Sequence, residues 1–324
     1  MNGYIHSCWS RNVISKSSKT EYPRLVAIET TNYCNAKCEF CPNNVLVRDR
    51  RHMSDALFEQ IIEGCREFPL KTIEPFLNGE PLVDPKLMQR LELIKRRLPE
   101  TKIRLFTNGH ALTPRRIKEL CEFGLESLIV SVNTLDPQRY KKIMGLEIDR
   151  LLANLRCLTD PIWKNRVARQ ITFRMTRLPD TSKQEQRDFK DFCRRLKVNG
   201  NIKTVFNYKG DKLTVLPVPP YPCEHITRVD VLSNGVATLC CMDPEGKYPL
   251  GDAHQSTILS IFNSESSKRY RCYHRSGRRG EIEPCNRCNL PNPSLLHMPL
   301  FHTVKAALQV GCYYLRHRPK GMRP

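Results

Sequence analysis

Three cysteines stand within eight residues in Cys34-Asn-Ala-Lys-Cys38-Glu-Phe-Cys41, a C-x3-C-x2-C run that directly follows the first apolar, β-rich segment. This run constrains the chain more than any other feature, because three thiolates on one short loop can wrap a single metal centre. Structural zinc sites and ordinary four-cysteine clusters want a fourth protein ligand, and none follows nearby. A [4Fe-4S] cluster on these three would leave its fourth iron open to an external ligand, and an open position is what chemistry requires. The competing readings are a zinc site completed from a distant part of the chain and three unrelated buried cysteines.

Composition narrows the setting. Fifteen cysteines in 324 residues lie well under the roughly 8–10% that marks a small disulfide scaffold. The polar start, Met1 to Ser10, lacks the apolar run of a secretion signal. A secreted, disulfide-stapled protein is therefore not expected, and tight groups of thiols in a cytoplasmic chain point to metal. The most apolar late stretch, Leu300 to Leu315, is broken by His302 and Lys305 and falls short of the about 20 residues that span a bilayer. The formal net charge of +20, with peaks such as Arg48–Arg51, Lys268–Arg279 and Arg316–Arg323, attracts anions of many kinds and names no partner.

From Arg24 onward, apolar β-rich runs alternate with segments of helical period, which predicts parallel strands joined by crossover helices. Six strands are expected at Leu25–Thr30, Thr72–Leu77, Ile103–Thr107, Ser127–Val132, Val167–Met175 and Ile202–Phe206. Helices are expected near Ser54–Glu67, Pro85–Arg97, Pro114–Phe123, Pro137–Met144, Glu147–Leu158 and Lys183–Leu196. Asp84-Pro85, Thr113-Pro114 and Asp136-Pro137 each pair an N-cap with a proline suited to a first turn. After Phe206 the Pro-rich run Leu216–Pro222 leads into a cysteine-rich region, in which Ser233-Asn234-Gly235 reads as a hairpin turn. The expected division is an N-terminal extension over 1–23, a partial barrel over 24–215, a small cysteine-rich domain over 216–290 and a basic, amphipathic tail over 291–324.

The triplet, with Phe40 before its last cysteine, resembles the cluster loop of the radical S-adenosylmethionine (SAM) superfamily. The resemblance implies a partial (β/α)6 barrel in which Cys34, Cys38 and Cys41 hold a [4Fe-4S] cluster and SAM chelates the open iron. It implies reductive cleavage of SAM to a 5′-deoxyadenosyl radical that abstracts a substrate hydrogen. Phe40 would lie near the adenine. Asn78-Gly79-Glu80-Pro81 is similar to the superfamily's Gly-Glu motif, so Gly79 and Glu80 would meet the SAM amino group. Asn108 lies in a family-like turn after the third strand, and Ser131 and Asn133 after the fourth could reach the ribose hydroxyls. Arg174 could face the SAM carboxylate if strand alternation turns it inward with Thr172 and Thr176. The superfamily's glycine-rich adenine motif is not evident here.

A second constellation, Cys223-x11-Gly235-x4-Cys240-Cys241 and Cys285-x2-Cys288, resembles the C-terminal SPASM or Twitch region of these enzymes. One auxiliary [4Fe-4S] cluster on Cys223, Cys240, Cys285 and Cys288 is implied, with Cys241 able to replace Cys240. A zinc ribbon could use the same four thiolates. Cys272 has no assigned role, and Cys8, Cys65, Cys121, Cys157, Cys193 and Cys312 read as small core residues. His52, His225, His254 and His274 show no spacing that selects one of them.

The resemblance points to an oxidoreductase that removes two electrons from a small or sugar-like metabolite, the auxiliary cluster accepting an electron. Proteins of this length with one such cluster resemble the amino-cyclitol dehydrogenase of aminoglycoside biosynthesis. The alternatives are maturation of a ribosomally made peptide and, in a different class, a zinc-bound nucleic-acid module. Basic clusters without interleaved aromatics argue against the last. A flavodoxin or ferredoxin would supply electrons, and the tail would permit peripheral membrane contact.

Overall fold

The computed structural model describes residues 21–206, 222–288 and 290. The chain is mixed α/β, and its sheet is built from parallel strands laid down in sequence order. These are β1 (Leu25–Ile28), β2 (Thr72–Glu74), β3 (Lys102–Thr107), β4 (Leu125–Ser131), β5 (Ala168–Arg177) and β6 (Asn199–Thr204), each hydrogen-bonded in parallel to the next. All six expected strands form. Helices α1 (Asp55–Gly64), α2 (Leu87–Arg97), α3 (Pro114–Leu120), α4 (Pro137–Met144), α5 (Ile148–Leu158), α6 (Pro161–Val167) and α7 (Lys183–Arg195) make the crossovers.

Period-two alternation decides what each strand shows to either side. Along β5, Ile171, Phe173 and Met175 are buried against the helices, while Thr172, Arg174 and Thr176 take the other face. Four crossover helices start where the sequence puts a cap, whereas α2, expected from Asp84-Pro85, begins only at Leu87 behind Lys86, which makes no side-chain cap bond. Ser54, Thr113 and Asp136 each accept a hydrogen bond from the backbone N–H three residues on, and Ser182 with Glu185 forms a capping box.

Some boundaries differ from expectation for physical reasons. β2 stops at Glu74 because Pro75 has no N–H to donate. Helix α6 was not anticipated, although Asp160 caps it and Pro161 begins it; it takes Val167, so β5 starts at Ala168.

The larger departure lies further along. The Asn234-Gly235 hairpin does form, from β7 (Arg228–Val231) and β8 (Val236–Thr238), but β7 pairs in parallel with β1. With β9 (Pro249–Asp252) added, the sheet has nine strands in the order β6-β5-β4-β3-β2-β1-β7-β8-β9. Gly235 is required at the turn: its φ is +89°, and a Cβ there would run into the His254 ring.

Two compact units result. The first is Pro23–Val205 with Arg228–Phe262, and therefore takes in the whole sheet and α8 (Ile258–Phe262). The second contains Phe206–Thr227 and Asn263–Pro324 with the N-terminal residues through Tyr22. These limits do not follow the division expected at 216. In the second unit, Ser264 caps α9 (Glu265–Arg275), and Glu21 pairs with Arg271 at 3.1 Å and Arg275 at 2.7 Å. Among the described residues no helix is long and apolar enough to cross a membrane. The helix expected at Leu300–Leu315 lies outside the described residues, as do Cys8 and Cys312.

Candidate functional site

Where β1 ends, the chain enters a buried polar run, Glu29 to Asn32. Asn32 staples the loop that follows: its amide donates to the Asp49 carbonyl at 2.8 Å and accepts from the Arg51 N–H at 2.7 Å. Arg50 donates to the Asn32 carbonyl at 2.7 Å and to Asn43 Oδ1 at 2.9 Å, closing the loop from the other side. Its tip leans on the end of α4, where Lys37 and Glu39 donate to the carbonyls of Met144 and Ile143, each at 2.9 Å. The three thiols are thus carried on a loop pinned at both flanks.

Cys34, Cys38 and Cys41 are half-buried, and Cys38 Sγ lies 3.5 Å from Met144 Sδ. Burial pushes the Cys34 thiol up to about 12 and Cys38 well above its ordinary value; Cys41 raises both further, and Cys34 adds to the rise at Cys38. Three thiolates in so small a volume repel one another and the nearby Glu80 carboxylate. A cationic iron centre relieves that repulsion and selects the deprotonated form, so this donor set fits an iron-sulfur cluster.

Gly79 and Glu80 dock on the loop itself. A Cβ at Gly79 would sit on the Thr31 carbonyl oxygen and 2.8 Å from that of Tyr33, so only glycine permits the approach. The Glu80 N–H donates to the Tyr33 carbonyl at 2.8 Å. Its carboxylate accepts from Thr107 Oγ1 at 2.7 Å, the Asn108 N–H at 2.7 Å and the Leu82 N–H at 3.1 Å. Burial outweighs these three donors and raises the carboxyl to about 7. Asn108 donates to Asn35 Oδ1 at 2.7 Å, and its amide lowers the Cys34 thiol against the effect of burial.

Asn133 donates to Met144 Sδ at 2.9 Å and accepts from the Thr176 N–H at 2.9 Å, tying β4, β5 and α4 together. Ser131 and Phe40 are half-buried. Arg174 faces inward as the alternation requires. Its guanidinium carbon lies 4.9 Å from the centre of the Phe106 ring, which stacks on Phe76 at 5.1 Å. Burial and the neighbouring Arg104 lower its pKa.

Several charged residues on this face were not singled out from sequence. Glu74 meets Arg104 at 3.1 Å and Arg228 at 3.4 Å, and Arg228 meets Asp230 at 2.5 Å. Glu29 pairs with Arg48 at 2.5 Å and accepts from Asn78 and the Ser233 N–H, each at 2.9 Å. Arg48 also donates to the Pro244 carbonyl at 2.6 Å, while the Glu245 carboxylate accepts from the Val47 N–H at 3.0 Å. The segment after the Cys34–Cys41 loop is therefore joined to the turn after β8 that carries Cys240 and Cys241. The available sequence signal was a lone acid closing each apolar strand, Glu29 after Ile28 and Glu74 after Ile73. Cys241 packs beside Ala27, Leu77 and Leu232 and lies in the field of Arg174 and Arg228.

Cys223, Cys285 and Cys288 belong to the second unit. Cys223 and Cys288 are buried, and the Cys223 N–H donates to His274 Nδ1 at 3.0 Å. Arg279, also buried, donates to the carbonyls of Cys288 at 3.0 Å and Leu290 at 3.2 Å. Burial raises the Cys223 thiol to about 11, against the pull of Arg279, and lowers His274 to about 3. His274 is thus a neutral acceptor, a role its spacing did not announce. Of the cysteines expected as small core residues, Cys65 and Cys193 are buried, whereas Cys121 and Cys157 are only half-buried.

Comparison with known proteins agrees with this geometry. Residues 28–206 match the Radical SAM superfamily, and residues 223–289 match the SPASM family, an iron-sulfur cluster-binding domain. The S-adenosyl-L-methionine-dependent 2-deoxy-scyllo-inosamine dehydrogenase of Niallia circulans is 22% identical over 267 residues, 82% of this chain and 92% of that protein. The crystal structure of BtrN in complex with AdoMet and 2-DOIA superimposes with TM-score 0.60 at 20% identity, over 85% of this chain and 96% of that one. Streptococcus suis SuiB bound to the precursor peptide SuiA gives TM-score 0.65 at 16% identity, over 83% and 70%. At these identities the likeness is one of fold.

Proposed function

The chain belongs to the radical SAM superfamily and carries an iron-sulfur cluster-binding SPASM domain, and from that premise we propose that it dehydrogenates a small or sugar-like alcohol or amino-alcohol. The pinned loop that brings Cys34, Cys38 and Cys41 into one another's electrostatic field carries this reading. Those three residues hold a [4Fe-4S] cluster. Cys223, Cys285 and Cys288, all of the second unit, supply thiolates to one auxiliary [4Fe-4S] cluster.

When bound, the clusters and SAM supply a 5′-deoxyadenosyl radical that removes a hydrogen atom from a C–H bond and a centre that accepts the remaining electron. The chain's own residues orient the partners. Glu80 and the backbone at Gly79 receive the SAM amino group, Ser131 and Asn133 the ribose, and Phe40 the adenine. Arg174 offers its guanidinium to a carboxylate. The reaction balances as loss of one hydrogen atom, one electron and one proton, giving a carbonyl or imine. Dehydrogenation is favoured because the dehydrogenase relative aligns along nearly its whole length. A flavodoxin or ferredoxin, acidic against this basic chain, would deliver the starting electron.

Anaerobic reconstitution with iron, sulfide, SAM and dithionite tests the class by production of 5′-deoxyadenosine. Cys38→Ala should reduce that product to background. Amino-cyclitol substrates losing two hydrogens by mass would support dehydrogenation, whereas a modified precursor peptide would replace that reading with peptide maturation.

A further inference from the structure

We propose that Arg279 sets the redox poise of the auxiliary centre, its sealed guanidinium beside Cys223 and Cys288 making that centre an electron acceptor. The inference rests on the auxiliary cluster proposed above. Among the described residues three arginines are almost wholly buried, Arg90, Arg271 and Arg279, each 3% exposed or less. Arg90 meets Asp84 at 3.2 Å, and Arg271 meets Glu21 at 3.1 Å. Among the described residues Arg279 meets no carboxylate. Two of its nitrogens donate to the carbonyls of Cys288 and Leu290, and its Nε has no acceptor. A guanidinium cannot shed its charge, and a buried one without a counter-ion is costly.

The missing anion is the metal centre itself. Four thiolates around a [4Fe-4S] core are net negative when oxidised and more negative when reduced, so a fixed cation beside them favours the reduced state. The Leu290 N–H, 3.4 Å from Cys288 Sγ, adds a donor of the same sign. In the step served, the substrate-derived radical gives one electron to the oxidised centre and one proton to water, and a C=O or C=N bond forms.

The test uses the full chain, reconstituted anaerobically, with Cys38→Ala added so that the auxiliary centre alone gives a signal. Redox titration followed by electron paramagnetic resonance reads the centre without turnover. Arg279→Gln should shift the reduction equilibrium at least tenfold toward the oxidised form, about 59 mV for one electron. Arg279→Lys, which keeps the charge, should stay within threefold of the parent. An Arg279→Gln centre with full iron and a potential within threefold of the parent overturns the proposal while leaving the cluster reading intact. Should the Gln variant lose its iron, the Lys variant decides: a tenfold drop with iron retained overturns the proposal, and a parental potential supports it. A Cys38→Ala parent that binds no iron-sulfur centre removes the auxiliary cluster, and this proposal with it.

Discussion

The two thiol-bearing regions both have thiols raised by burial, and the fixed charges beside them differ in sign. Around Cys34 and Cys38 the neighbouring fixed charge is acidic, since Glu80 raises both thiols. Around Cys223 and Cys288 the strongest fixed charge is Arg279, which lowers the Cys223 thiol against the effect of burial and by more than Glu224 raises it. Burial raises any thiol, so the fixed charge beside it is what distinguishes the two environments. An acidic surround suits a site completed by a cationic ligand from outside, and SAM brings a sulfonium and an ammonium. A built-in cation suits a centre completed by the protein and tuned to receive electrons. On this view the polarity of the reaction is written in the charges around the sulfurs.

The acidic region should be the easier to break. Arg48→Met removes the cation paired with Glu29 and leaves a fully buried carboxylate facing only the Asn78 amide and the Ser233 N–H. Breaking a buried pair from one side costs about 3–5 kcal/mol. Urea denaturation should show a loss of that size, and protease cleavage near residues 43–50 and 240–248 should appear together. A loss below about 1 kcal/mol would mean that water reaches Glu29 and that the two loops are not locked.

A smaller effect sharpens the same comparison through pH. Burial lifts the Glu80 carboxyl from 4.5 to about 7. Between those values the folded chain keeps a proton that the unfolded chain has released, so the stability of the metal-free chain falls as pH rises through this window. The penalty is complete above pH 7 and reaches about 3 kcal/mol. Glu80→Gln, which cannot ionise, should flatten the difference in unfolding free energy between pH 5 and pH 7.5 by up to that amount. An unchanged difference would place Glu80 in contact with water. If Glu80 takes the proposed role toward the SAM amino group, the same variant should bind SAM about tenfold more weakly.

Much of this was legible because local rules govern it. Three cysteines on one loop can be read without a fold, and Ser54, Thr113 and Asp136 cap helices through bonds only three residues long. What escaped depends on distant partners. The Asn234-Gly235 turn announced a hairpin, but nothing local tells β7 to pair with β1, some 200 residues earlier in the chain. The same distance hid Arg48, whose bonds to Pro244 and Ser233 span nearly as many residues. Arg279 was hidden by number, one of 53 basic side chains, until the structure showed it sealed without an acid. Helix α6 is different: Asp160-Pro161 carries the same start signal as Asp136-Pro137, so its beginning is locally legible.

The smallest predicted change examines whether Glu80 owes its state to burial or to its donors. Thr107 Oγ1 gives one of three hydrogen bonds to that carboxylate, and Thr107→Val deletes it at nearly constant volume. Losing a hydrogen bond to a charged group costs about 1.5–3 kcal/mol, while a neutral acceptor loses about 1 kcal/mol. Thr107→Val should therefore cost more stability at pH 7.5, where Glu80 is ionised, than at pH 5, where it holds its proton. The carboxyl, with one donor fewer, should also titrate higher than about 7. Urea midpoints at the two pH values read the split directly. An equal loss at both would mean that Thr107 acts by packing alone, leaving the backbone N–H groups of Asn108 and Leu82 to hold the charge beside the sulfurs.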